Sequence, residues 1–399
     1  MEEALELLLS RARPVTDTDW VDTGQALGRV LARPLVSPLD VPPWDNSAMD
    51  GYAVNSADLP RGGGALRVAQ RVPAGARGQP LETGTAARIF TGAPLPEGAD
   101  AVVMQEVCAR DGDWVRIEAP VSPGENVRSR GEDLRAGGRV LEAGTLLGPQ
   151  HLGLAASLGM SRVLVYRRLK VAIFSSGDEL VMPGQGLAPG QIYNSNQFTL
   201  HGLLQSLGCD PLSLGIVEDS LDATCAALAR AAGEADLVLA SGGVSVGEED
   251  HVKPAVEKLG TLELWQLAIR PGKPLAFGHI GNTPFIGSPG NPVSLFVTFS
   301  LFARPFIRRM QGVVGDVAPR SLWATADFDW PRAGIRREFA RARLENGDDG
   351  QPLVSVHTSR SSGVLSSVTW ANGLAVIPEN RTLVRGDRVQ FIPFSELLT

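Results

Sequence analysis

Val171-Ala172-Ile173-Phe174, followed at once by Ser175-Ser176-Gly177-Asp178-Glu179, is an apolar run that breaks into a glycine and two acids. Four apolar residues bounded by a polar turn read as a strand buried on both faces. The glycine that follows lets backbone approach a ligand closely. The same pattern recurs downstream. Strands are expected at Leu214–Val217, Leu237–Ala240, Leu275–Phe277 and Phe285–Ile286. Helices are expected at Phe198–Leu207, at Leu221–Ala232, from about Asp250, and over 293–309. Apolar strands alternating with amphipathic helices specify a mostly parallel sheet covered on both faces, here an α/β domain over 168–315.

Outside that domain the pattern changes. Residues 2–10 read as an amphipathic helix with Leu5, Leu8 and Leu9 on one face, and a second helix is expected over Asp22–Ala32. Pro34, Pro38, Pro42 and Pro43 then end helical structure. Residues 40–135 are punctuated by Gly and Pro and predict a mostly β module, with strands at Leu66–Val68, Ala87–Ile89, Ala101–Met104 and Trp114–Ile117. A helical pattern returns over 145–160, so the β module reads as an insertion between two parts of one helical layer, 1–39 and 136–167. Residues 316–399 return to short strands, among them Leu353–Val356, Leu374–Ile377 and Val389–Ile392, as expected of a small β-barrel. The fold class is therefore multidomain α/β plus β.

Composition narrows the function. With 37 Lys and Arg against 44 Asp and Glu, the net charge of −7 argues against a general nucleic-acid binder. Cys108, Cys209 and Cys225 are scattered and odd in number, which fits neither a disulfide framework nor a zinc site and suggests a reducing cytoplasm. Met1-Glu2-Glu3 is acidic where a secretory signal is basic, and the apolar stretch Val293–Phe306 is too short and polar to span a bilayer.

In an open parallel sheet, ligands bind at the carboxyl ends of the strands. Four loops leave those ends here: Ser175–Glu179, Glu218-Asp219, Ser241-Gly242-Gly243-Val244-Ser245-Val246-Gly247-Glu248-Glu249-Asp250, and Gly287-Ser288-Pro289-Gly290-Asn291-Pro292. Taken singly, Asp219 and Asp250 read equally well as helix N-caps. Taken together, acids at three strand ends converge and repel, and a hard cation such as Mg²⁺ bridging a phosphorylated substrate would relieve them. Only four of the basic residues are lysines, and one, Lys273, lies in the rigid turn Arg270-Pro271-Gly272-Lys273-Pro274. That turn reads either as an anion site or as a solvated hairpin tip. In the β module, Asp50 before Gly51 reads as a turn residue or a site acid, and Asp133 as a local partner of Arg130 or a site acid.

These segments together resemble the molybdopterin molybdenumtransferase family. The pieces that carry the resemblance are Asn46-Ser47-Ala48-Met49-Asp50-Gly51-Tyr52-Ala53, Thr91-Gly92-Ala93-Pro94, Arg130-Gly131-Glu132-Asp133, Gly177-Asp178-Glu179-Leu180, Gly242–Gly247 with Asp250, Pro271-Gly272-Lys273-Pro274 and Pro289-Gly290-Asn291-Pro292. The motifs of the β module separate this family from adenylyltransferases and pyrophosphatases of the same α/β fold. A non-catalytic scaffold would not need all of the acids and cations.

The resemblance implies adenylylated molybdopterin and molybdate as substrates, and molybdenum cofactor and AMP as products. It implies Asp50, Thr91, Asp133, Glu179, Asp219 and Asp250 as catalytic, with Glu179, Asp219 and Asp250 holding Mg²⁺. Ser176, Gly177, Gly242, Gly243 and Ser245 would line the substrate site. Arg270, Lys273, Pro274, Ser294, Arg341 and Ser362 would line the molybdate pocket. A homodimer is implied too, with contact to the adenylyltransferase and to molybdoenzyme-delivery proteins, and with neither nucleic acid nor membrane as partner. Arg270 stands where the family usually has Lys, Ser288 replaces a usual Leu, and Ser359-Arg360-Ser361-Ser362-Gly363 matches the family's Gln-Gly-Ser segment only loosely.

Overall fold

A computed structural model describes residues 1–243, 251–348 and 350–398. The chain divides into two units: Met1–Ala32, Gly144–Gly148 and Val163–Thr399 form one, and Arg33–Ala143 with Pro149–Arg162 form the other.

The first unit is built on a six-stranded sheet. Its order is Asp210–Val217, Lys170–Ser176, Leu237–Ser241, Thr283–Ser288, Pro274–Ile280, Gly260–Gln266. The first four strands are mutually parallel, and Pro274–Ile280 runs against its two neighbours. Alternation along each strand splits the core. Val171, Ile173, Leu237, Leu239 and Phe277 face one buried cluster, and Ala172, Phe174, Val238, Ala240 and Ala276 face the other. Helix Ser195–Ser206 covers the first face through Leu200, Leu203 and Leu204. Helices Leu221–Glu234 and Val252–Leu259 cover the second through Leu228, Ala231, Val252 and Val256. Removing a side chain such as Leu239 from this core would cost about 2–5 kcal/mol.

The apolar stretch near 293–309 is one buried helical run, Pro292–Thr298, Phe299–Ala303 and Arg304–Met310, whose middle turn is π-helical. Pro305 has no N–H to donate four residues back, which accounts for the wider turn before it.

The same unit ends in a barrel. Arg337–Asn346, Pro352–Val356, Leu322–Ala326, Arg388–Pro393 and Gly373–Ile377 pair in that order, and the last pairs back to the first. Its interior holds many small side chains, including Ala324, Ala326, Ala340, Ala342 and Ala375. One position there must be glycine, since a Cβ on Gly373 would lie 2.1 Å from the Phe391 ring.

The expected helix over Asp22–Ala32 is absent. That segment is a single 3-10 turn, Thr23–Gln25, then Gly28 at φ +71°, then bridges from Val30 to Leu146 and from Leu31 to Val165. Its apolar spacing reflects burial of Ala26, Val30 and Leu31 in irregular backbone, and the left-handed Gly28 interrupts any helix.

The second unit contains a six-stranded sheet in the order Ala101–Met104, Gly51–Val54, Thr85–Ile89, Gly64–Val72, Trp114–Ile117, Cys108–Asp111. It is antiparallel except for the pairing of Gly64–Val72 with Thr85–Ile89. Tyr52, Val54 and Val103 face one buried cluster and Ala53, Val102 and Ile89 the other.

Among the described residues, no helix is long and apolar enough to cross a membrane.

Candidate functional site

The carboxyl ends of the central strands open into a cleft of about 1010 Å³. One end of it is acidic. Lys170–Ser176 and Asp210–Val217 are adjacent parallel strands in register to Ser176 and Val217, so Asp219 emerges beside Ser176. The Ser176 hydroxyl donates to Asp219 Oδ1 in a short hydrogen bond, and the Asp178 N–H donates to Oδ2 at 3.3 Å. Asp219 is not the helix cap. That place belongs to Ser220, whose Oγ accepts from the Ala223 N–H at 3.2 Å. Glu179, exposed, reaches back over Gly177, where a Cβ would lie 2.5 Å from its carboxylate. Glycine is favoured at 177 by its φ of +153°, and it leaves room for the Glu179 carboxylate in this position. Gly242 is constrained likewise, since a Cβ there would sit 2.4 Å from the Ser176 carbonyl oxygen.

The other end is cationic. Arg270, Lys273, Arg336 and Arg360 line it, with Pro274, Ser294 and Ser362. Ser362 is fixed by its carbonyl, which accepts from the Val293 N–H at 3.0 Å. Among the described residues no carboxylate lies in ion-pair range of Lys273, which lines the cleft. Between the two ends sits Asn196, whose Nδ2 donates to Ser241 Oγ at 2.8 Å and to the Gly290 carbonyl at 2.7 Å.

Arg341 is placed differently from the other expected oxyanion ligands. It is buried and does not line this cleft. Its Nε donates to Ser367 Oγ at 2.9 Å, and its Nη2 donates to the carbonyls of Ser359 at 2.7 Å and Ser361 at 3.1 Å. Burial pulls its pKa down and the Glu338 charge opposes that shift. Arg341 thus shapes the loop that presents Arg360 and Ser362.

Asp50, Thr91 and Asp133 belong to the second unit. Asp50 Oδ1 accepts from both the Thr91 N–H and its hydroxyl, each at 2.8 Å. These two donors hold the Asp50 carboxyl below the usual carboxylate range. Asp50 ends the bend that precedes Gly51. Gly51 opens a strand, and a Cβ there would lie 1.9 Å from the Val103 carbonyl oxygen. Asp133 is exposed, and Arg130 pairs with Asp40 at 2.6 Å rather than with it.

Ser245 and Asp250 lie outside the described residues. Among the described residues, no three His, Cys, Asp or Glu side chains are grouped to hold a metal ion. Glu179 and Asp219 supply two carboxylates at one end of the cleft. Residues that the sequence reading missed are Arg336, Arg360, Asn196 and the buried Glu338. Arg360 lies in the loop Ser359–Gly363, but nothing local in the sequence marks it as facing a cleft.

The comparisons agree along the whole length. Residues 1–159 match the MoeA N-terminal region (domain I and II), 172–309 a probable molybdopterin binding domain, and 324–394 the MoeA C-terminal region (domain IV). A molybdopterin molybdenumtransferase of Haemophilus influenzae is 40% identical, over 100% of this chain and 99% of that protein. The chain belongs to the molybdopterin molybdenumtransferase family. A family member from a Nostoc species is 39% identical over 92% of this chain and 86% of its own. The solved molybdopterin biosynthesis MoeA protein of Pyrococcus horikoshii OT3 superposes with a TM-score of 0.85 at 32% identity, covering 98% of both chains. The acid-and-glycine loops lie within the part matched to the molybdopterin binding domain, while Arg336, Arg341 and Arg360 lie in the C-terminal region.

Proposed function

We propose that this chain inserts molybdate into adenylylated molybdopterin, releasing AMP and giving molybdenum cofactor. The observation that carries the reading is the division of one cleft: Glu179 and Asp219 at one end, Arg270, Lys273, Ser294 and Ser362 at the other. The oxygen donors suit Mg²⁺. Asp219 already accepts from Ser176 and Asp178, and each carboxylate oxygen keeps further acceptor capacity. Glu179 and Asp219 would hold the ion, with Asp250 as the third acid of the resemblance. When bound, Mg²⁺ neutralises charge on a pyrophosphate and polarises its phosphorus.

The chain's own groups do the rest. Ser176 orients Asp219, and the glycines at 177 and 242 keep side chains out of the floor. Lys273 and Arg270 donate charge-assisted hydrogen bonds to a molybdate oxyanion, with Ser294 and Ser362 hydroxyls beside them. The chain works as a homodimer in the reducing cytoplasm, where Asp50, Thr91 and Asp133 of one copy complete the cleft of its partner. It receives substrate from the adenylyltransferase and hands product to delivery proteins.

The test is a single incubation with adenylylated molybdopterin, molybdate and Mg²⁺. AMP and a cofactor that activates an apo-molybdoenzyme should form together. AMP without active cofactor would favour a pyrophosphatase. Dimer architecture is checked by a mixed dimer of Asp50→Ala and Asp219→Asn chains, expected near half of wild-type activity while both pure mutants are nearly dead. A mixed dimer as dead as its parents would place both residues in a cleft built from one chain.

A further inference from the structure

Arg270 and Arg360 lie 90 positions apart in the chain, yet both line the cleft and share one carboxylate. The strand Ile269–Arg270 pairs in parallel with Arg337–Glu338, which sets Arg270 opposite Glu338. Glu338 Oε1 lies 2.5 Å from Arg360 Nη2 and 3.6 Å from Arg270 Nη1. The Glu338 side chain is 10% exposed, while those of Arg360 and Arg270 are 40% and 47% exposed. Arg360 also stacks on Trp330, 4.1 Å from the ring centroid. A guanidinium that is ion-paired on one edge and stacked on its face is already ordered, so binding a second anion costs it little further entropy. Each guanidinium has five N–H donors, and one glutamate oxygen occupies few of them.

We infer that Arg270 and Arg360 form a two-pronged receptor for a tetrahedral oxyanion, with Glu338 as the positioning residue that holds both prongs and competes with the ligand for them. This rests on the cleft being the site of the proposed reaction, and it adds Arg360 and Glu338 to the residues the resemblance implies. Two cations facing one cleft repel each other, and the buried carboxylate between them makes the pair tolerable. It also places a negative charge behind the ligand, which weakens binding and leaves the anion releasable. The oxyanion chemistry fits both free molybdate and a phosphate of the other substrate.

The experiment is calorimetric titration of the full-length chain with sodium molybdate in one arm and inorganic pyrophosphate in the other. Wild type, Arg360→Gln, Arg360→Lys and Glu338→Gln are compared. Arg360→Gln should weaken one of the two anions about tenfold or more, since a charge-assisted hydrogen bond is lost. The arm that responds identifies which anion the prongs take. Arg360→Lys should recover only part of that loss, because it keeps the charge without the fork. Glu338→Gln should tighten the same anion severalfold; a glutamate that only braces the barrel would weaken it or leave it unchanged. Should Glu338→Gln fail to fold, the two Arg360 variants decide. Both anions staying within twofold in Arg360→Gln, with wild type binding normally, overturns the inference and spares the proposed function. Wild type binding neither anion overturns both.

Discussion

The acidic and cationic ends of the cleft are built by different kinds of contact. At the acidic end, Ser176, Glu179 and Asp219 leave two neighbouring parallel strands, and local register alone brings them together. At the cationic end, Arg270, Arg336 and Arg360 come from three separate stretches. They meet because Ile269–Arg270 pairs with Arg337–Glu338 and because Arg341 pins the 359–361 loop through two carbonyls. One end is a property of an α/β sheet edge and the other of a barrel docked by long-range pairing. Under the proposed function the two ends would have two jobs: holding a cation against phosphate, and holding an oxyanion.

The largest expected effect lies at the acidic end. Asp219→Asn should lower AMP release by roughly a hundredfold or more at every molybdate concentration, with thermal unfolding little changed. Near-normal turnover would remove Asp219 from the chemistry. At the cationic end, Lys273→Ala should raise the molybdate concentration for half-maximal activity by about tenfold or more, while nucleotide affinity stays within twofold. An unchanged molybdate response would move the oxyanion pocket elsewhere.

Arg341→Met sharpens the comparison, because Arg341 is expected to act through the loop. It should lower unfolding stability by about 1–2 kcal/mol, since the half-buried Ser359 carbonyl and the buried Ser367 hydroxyl lose a donor, and raise the molybdate requirement along with it. A weaker molybdate response with unchanged stability would make Arg341 a direct ligand instead.

The smallest effect belongs to the opposite, amino ends of the same strands, where Arg167 donates to both Asp236 oxygens at 2.7 and 2.8 Å and the Lys170 N–H adds a third bond. Burial pushes the Asp236 carboxyl up, but Arg167 and the Lys170 N–H outweigh it and hold it below its usual value. An unfolded aspartate titrates near pH 4. The stabilisation is therefore complete above about pH 4 and is lost as pH falls through the lower folded value. Denaturant unfolding across that range should show a smaller acid loss in Asp236→Asn than in wild type. Parallel acid limbs would mean the pair contributes nothing.

Much of this was legible in the sequence where order is local. The apolar runs at Val171–Phe174 and Leu237–Ala240 and the acids after them needed only strand length and a glycine to place. The helix expected over Asp22–Ala32 failed because buried apolar spacing there serves irregular backbone around Gly28. Glu338 was invisible as a site residue, since its meaning comes from a strand pairing 68 positions away at Arg270. Arg341 matched the family motif, but its hydrogen bonds to the 359–361 loop and to Ser367 are contacts that no motif encodes.

The most direct measurement of the central claim is AMP release from adenylylated molybdopterin as molybdate is titrated into the wild-type chain with Mg²⁺ present. If the two ends of the cleft serve one reaction, AMP release should rise with molybdate and saturate, and Lys273→Ala should shift that curve to higher molybdate without lowering its plateau much. AMP release that proceeds at full rate without molybdate, or that ignores the Lys273 substitution, would contradict the account.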